Sequence, residues 1–321
     1  MRRRKIVLLW ACAGPLAVGL PSGAAGRTLR LVCPTSPGSS PDTLARLLAK
    51  HLALVLGITV VVENAPGAGT TLGSAAVANA HADGATLLLS FSPTFSLAPI
   101  QYSSAHYDPV KSFVALGSFA RISPFLVVHP SLAVRNFSDY LSLARTRPGG
   151  LEFAHAGTAS VSLLLAELLR QQAQVQFLYV PYRNEAESRI DVLSGRVSTA
   201  VFWAPVAVPM VQAGRLTALA YAGATRHPLL PEVPTFTELG YPAVQLQLEM
   251  LLLAPAGLAQ PTAQRLSEAL REAALRPQMQ ADLQAIGITP HHGTAAQTAT
   301  LIDSDAQAYG RTVRQLGLKQ E

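Results

Sequence analysis

The chain has 321 residues, 49% of them hydrophobic and 14% charged, with two cysteines and a formal net charge of +6. This length can bury two separate cores, and the apolar content excludes a disordered chain or a small disulfide scaffold. The positive charge is concentrated at the start: without residues 1–25 the chain keeps 21 basic against 19 acidic residues and no Lys/Arg cluster, which argues against a nucleic-acid partner.

Residues 1–25 read as an export signal, with Arg2, Arg3, Arg4 and Lys5, an apolar run from Ile6 to Leu20, and small residues before cleavage after Ala25. Gly14 and Pro15 interrupt the run, which is short of the roughly 20 apolar residues a membrane span needs. Cys12 follows Leu9-Trp10-Ala11, a loose resemblance to a lipoprotein site. The bulky Trp10 and the short apolar run disfavour an anchor there. A periplasmic protein is expected, with Cys33 as its remaining cysteine, buried in a strand and unable to pair within the mature chain.

Two strand-loop-helix units come next. Leu29–Cys33 leads through Pro34-Thr35-Ser36-Pro37-Gly38-Ser39-Ser40 to a helix opening at Pro41-Asp42, with Ser40 as the expected N-cap. Leu44, Leu47, Leu48, Leu52 and Val55 share a face of that helix, and Gly57 stops it. Ile58–Asn64 leads through Ala65-Pro66-Gly67-Ala68-Gly69-Thr70-Thr71-Leu72-Gly73 to a second helix. Gly/Ser loops before helix N-termini leave backbone N–H groups free to face a carboxylate or phosphate, although ordinary turns use the same residues.

Further strands are read at Thr86–Phe91, Phe125–His129, Glu152–Ala156, Phe177–Val180, Val197–Trp203, Leu216–Ala222 and Glu249–Ala254. Helical patterns lie between and after them, through Val161 to Leu168 and beyond Pro261. Continuously apolar strands alternating with helices imply an α/β architecture of parallel sheets, with ligands at the carboxyl ends of the strands.

Catalytic readings find little support. Gly67-x-Gly69-x-x-x-Gly73 misses the third glycine of a dinucleotide turn, because Leu72 holds that position. Tyr107 and Lys111 have the spacing of a dehydrogenase pair, but Asp108-Pro109 breaks the helix that would align them. There is no G-x-S-x-G elbow, and His291-His292 before Gly293 reads as a turn without metal spacing. His155 lies in a loop where it could face a ligand. No enzyme activity, cofactor or metal is expected.

A collinear set of segments resembles the tripartite tricarboxylate transporter receptors, or Bug family. They include Arg30-Leu31-Val32, Pro37-Gly38 with Asp42, Val62-Glu63-Asn64 with Pro66-Gly67-Ala68-Gly69, and Tyr107-Asp108-Pro109-Val110-Lys111. Val180-Pro181-Tyr182-Arg183, Ala213-Gly214-Arg215-Leu216, Pro231-Glu232-Val233-Pro234-Thr235 and Leu253-Ala254-Pro255-Ala256-Gly257 continue it. The resemblance implies a periplasmic binding protein-like α/β fold of two lobes joined by a crossover hinge, with a ligand cleft between them. Residues 26–124 would form lobe 1, 125–225 lobe 2 and 226–321 the return to lobe 1. The first crossover is expected near Ser118 to Pro124, and the second is open between 222 and 249.

The resemblance also implies capture of a small organic acid through its carboxylate, chiefly by backbone N–H groups and hydroxyls of two helix-capping loops. Carried over, these are Thr35, Ser36, Gly38, Ser39 and Asp42, then Gly157, Thr158, Ser160 and Ser162, with Arg183 as the cation. Phe202 and Trp203 are placed at the cleft, Phe202 where the family often has Asp, so a ligand with a larger apolar part is expected. Ser39, Ala65, Thr70, Thr158, Ala159, Leu163 and Glu249 are further departures expected to line or border the cleft. The implied partners are the membrane subunits of a tripartite transporter, with the receptor a monomer. A ligand sensor feeding a signalling system is the alternative.

Overall fold

The computed structural model describes residues 28–316, apart from Pro93, Ser104, Thr158 and Ala159. The expected export signal and Cys12 lie outside the described residues. The first lobe begins with β1 (Thr28–Cys33), α1 (Ser40–Leu56), β2 (Thr59–Asn64), α2 (Thr71–Ala78), β3 (Thr86–Phe91), α3 (Thr94–Gln101) and β4 (Phe113–Ile122). The second lobe holds β5 (Pro124–Val128), α4 (Phe137–Thr146), β6 (Leu151–His155), α5 (Val161–Ala173), β7 (Phe177–Pro181), α6 (Glu185–Leu193), β8 (Thr199–Trp203), α7 (Ala204–Gln212) and β9 (Thr217–Tyr221). The chain then returns through β10 (Leu248–Pro255), α8 (Gln260–Leu275), α9 (Pro277–Ala285), β11 (Thr289–Gly293) and α10 (Ala295–Leu316).

Each lobe is one sheet covered by helices. The first has strand order β11-β4-β10-β3-β1-β2 and the second β7-β6-β8-β5-β9. Both are mixed, not parallel as expected from the apolar runs. β10 lies antiparallel to β3 and β4, β11 antiparallel to β4, and β5 antiparallel to β8 and β9. β5 and β10 are the strands that arrive from the other lobe, and each inserts against the direction of its neighbours. A strand buried on both faces reads as continuously apolar in either direction, so sequence could not separate the two cases. Period-two burial is visible at β1, where Leu29, Leu31 and Cys33 enter one core cluster and Val32 the other.

Helix α1 is capped one residue earlier than the sequence suggests. Ser39 is the N-cap, its hydroxyl accepting Asp42 N–H at 3.4 Å, and Ser40 is the first helical residue. Gly57 ends it in the left-handed conformation, donating its N–H to Ala53 O at 3.0 Å. The first crossing falls between Ile122 and Pro124. The second falls at the late end of its window: Phe236 N–H donates to Tyr221 O, Leu246 N–H donates to Ala222 O, and Phe236 packs edge-on against Phe137 at 5.6 Å. Residues 222–247 therefore pack on the second sheet before β10 begins.

Candidate functional site

Between the lobes lies a cavity of about 130 Å³, comparable to one that admits a six-carbon ring. Five strand-helix junctions form its wall, at the starts of α1, α2, α5, α6 and α7. The βα order places the carboxyl ends of β1, β2, β6, β7 and β8 there, so five helix N-termini face one space. First-turn amides lack intrahelical acceptors and each helix dipole is positive at this end, so the cavity favours an anion without needing many basic side chains.

In the first junction Thr35, Ser36 and Ser39 line the cavity, with Thr35 Oγ1 2.9 Å from Ser39 Oγ. Asp42 holds this loop from behind. Its Oδ2 accepts Gly38 N–H at 2.9 Å, its Oδ1 accepts Asn64 Nδ2 at 2.9 Å, and Arg46 pairs with it at 3.0 Å. Asn64 Nδ2 also donates to Thr35 O at 3.0 Å. Burial alone would push the Asp42 carboxyl up, but hydrogen bonds from Arg46, Gly38 and Asn64 outweigh it and hold the group below its ordinary value.

The second junction runs through successive positive φ values at Gly67 (138°), Ala68 (43°), Gly69 (58°) and Thr70 (84°). A β-branched residue at φ 84° is strained, and such strain persists only where the surroundings over-determine it. Thr70 lines the cavity at 8% exposure, and its hydroxyl has no hydrogen-bond partner.

In the second lobe Ser160 caps α5, its hydroxyl accepting Leu163 N–H at 3.2 Å and donating to Gly157 O at 2.6 Å. Ser162 Oγ donates to Ser160 Oγ and accepts Ala156 N–H. Both hydroxyls shape the loop, leaving amides at the start of α5 to face the cavity. His155 also lines it, with Nδ1 3.2 Å from Gly157 O. Among the lining residues Arg183 is the one Arg or Lys and Glu185 the one carboxylate. Burial pushes the Glu185 carboxyl up to about 7 against hydrogen bonds from Ser40.

The structure thus gathers Thr35, Ser36, Ser39, Ser160, Ser162, Arg183 and Trp203 at one cavity. Gly38 and Asp42 stand behind the wall as loop supports. Gly157 also falls outside the lining; a Cβ there would meet the Tyr102 hydroxyl at 2.9 Å. Thr158 and Ala159 lie outside the described residues. Phe202 is corrected: at 1% exposure it belongs to the lobe core, because neighbours on a strand face opposite ways and Val201 and Trp203 take the cavity side. The expectation of a larger apolar ligand, which rested on Phe202, loses its basis. Ser39 and Thr70 line the cavity, but Ala65, Leu163 and Glu249 do not; Glu249 pairs with Arg121 at 2.9 Å and His291 at 3.1 Å. His291 and His292 sit on edge strand β11 instead of in a turn. Tyr107 is core, stacked on Phe95 and donating to its carbonyl, while Lys111 points to solvent.

Thr70 was named from sequence only as a departure expected to border the cleft, and Glu185 was missed as a site residue. Nothing local marks Glu185, which reads as an ordinary first-turn acid of α6.

Two mixed α/β lobes with helix N-termini converging on the intervening cavity define a two-lobed solute-binding fold. The sequence profile of the tripartite tricarboxylate transporter family receptor, TctC, matches residues 44–318. Protein BugT of Bordetella pertussis is 31% identical over 298 residues, spanning 91% of this chain and 90% of that one. The chain belongs to this receptor family. Among solved structures, the periplasmic binding protein BugD superposes with a TM-score of 0.87 at 26% identity, covering 92% of this chain and 99% of that one. MatC from Rhodopseudomonas palustris, with bound malate, gives 0.83 at 27% identity over 90% and 99% of the two chains. An R. palustris protein with adipate gives 0.87 at 26% over 92% and 99%.

Proposed function

We propose that the protein is an extracytoplasmic solute-binding receptor that captures a small organic acid by its carboxylate and presents it to the membrane subunits of a tripartite transporter. The convergence of five helix N-termini on one cavity carries the reading. The malate- and adipate-bound relatives support it. A carboxylate spanning the cavity would touch both lobes and so favour their closed arrangement over an open one. The receptor acts as a periplasmic monomer without catalysis. The export signal read from the sequence supports that location, and among the described residues no helix is long and apolar enough to cross a membrane.

The test is a melting-temperature screen of the chain against linear mono-, di- and tricarboxylates. A ligand at a hundred times its Kd adds about 2.7 kcal/mol to stability, a shift of several degrees. Failure of every acid to raise the melting temperature at millimolar concentration would contradict the proposal.

A further inference from the structure

The cavity already contains one carboxyl, supplied by the protein. Glu185 opens α6 in the second lobe, and its Oε1 accepts Ser40 Oγ–H at 3.2 Å from the first residue of α1 in the first lobe. Glu185 therefore bridges the lobes and places a carboxyl beside the start of α1. The starts of α2 and α5 also line the cavity and carry no carboxyl of the protein, which leaves that side for a ligand anion.

We infer that Glu185 sets the ligand class: the cavity takes a monocarboxylate whose far end carries an ammonium or another hydrogen-bond donor, and it discriminates against a second carboxylate there. This deepens the acid-capture reading and rests on it. In a cavity of about 130 Å³ a ligand's far end has little room to avoid Glu185. Two carboxylates sharing so small and partly desolvated a space repel strongly, because water screens them poorly. An ammonium or hydroxyl at the same place instead makes a charge-assisted hydrogen bond. Arg183 is the one Arg or Lys in the lining that could offset a second carboxylate, and it is exposed.

The experiment titrates the protein at pH 8, where Glu185 is largely ionised, with linear four- to six-carbon monocarboxylates and their ω-amino and ω-carboxy counterparts. The best ω-amino acid should bind the wild type at least tenfold more tightly than the best dicarboxylate. Glu185→Gln should raise dicarboxylate affinity at least tenfold and weaken the ω-amino acid, and a misfolded variant could not produce that gain. Dicarboxylates that bind the wild type as well as or better than ω-amino acids would overturn the inference and leave acid capture standing. An unchanged preference in Glu185→Gln would do the same. If no series binds, acid capture falls and this inference with it. Should Glu185→Gln fail to fold, the wild-type ratio alone decides.

Discussion

Replacing Asp42 with alanine should damage the site although Asp42 does not line the cavity. The carboxylate accepts Gly38 N–H and Asn64 Nδ2, both at 2.9 Å, and pairs with Arg46 at 3.0 Å. A hydrogen bond to a charged group contributes about 1.5–3 kcal/mol. The Arg46 side chain is 57% exposed, so that pair adds no more than about 1 kcal/mol, and Gly38, at the surface, regains water when its acceptor is lost. A net loss of about 3 kcal/mol follows, dominated by the charged hydrogen bond from Asn64. At about 2–4 °C per kcal/mol for a chain of this size, the melting temperature should fall by about 6–12 °C. Freed from Gly38 and Asn64, the Thr35–Ser39 loop should also bind ligand more weakly. The sign of the pH dependence is fixed: a carboxyl held below its ordinary value stabilises fully above its unfolded pKa, and loses this as pH falls through the folded one. The gap between wild type and Asp42→Ala should therefore be full at pH 6–7 and shrink below about pH 4. Calorimetric melting across pH, paired with ligand titration, checks each step. A shift within one or two degrees with unchanged affinity would refute the role given to Asp42.

Gly69→Ala would place a Cβ 2.2 Å from Tyr102 Cε2 at φ 58°, adding about 1–2 kcal/mol of left-handed strain to a clash that moves Tyr102. Lower stability and weaker binding are expected, and a melting curve and titration matching wild type would contradict this. The Cys33 thiol is fully buried and pushed up to about 11 by burial, against hydrogen bonds from Thr35. At pH 8 it should resist a thiol-specific reagent until denaturant is added, and rapid labelling of the native protein would argue against that burial.

Much of the site was legible because it rests on local grammar. A buried strand, a Gly/Ser loop and a capped helix mark the first junction, so the loop of Thr35, Ser36 and Ser39 could be read locally, whereas Ser160 and Ser162 came through the family resemblance. The same grammar misassigned Gly38 and Asp42, since a loop's support and its ligand-facing side share one stretch of chain. Phe202 failed because strand alternation sends it and Trp203 to opposite faces, and residues 200–203 are apolar on both. β4 was not read because its irregular pairing with β10 and Gly117 at φ 143° spoil any clean pattern. β11 is a short polar edge strand whose partner lies far away in sequence. Glu185 could not be recognised because its meaning lies in Ser40, 145 residues distant and in the other lobe.

The central claim is that the cavity holds a carboxylate by its charge and oxygens. Calorimetric titration of the acid giving the largest melting shift, beside its methyl ester, tests this most directly. The account predicts saturable one-to-one binding of the acid and a loss of at least a hundredfold, about 2.7 kcal/mol, for the ester. An ester that binds as tightly as its acid would show that the cavity does not read the carboxylate, and would contradict the account.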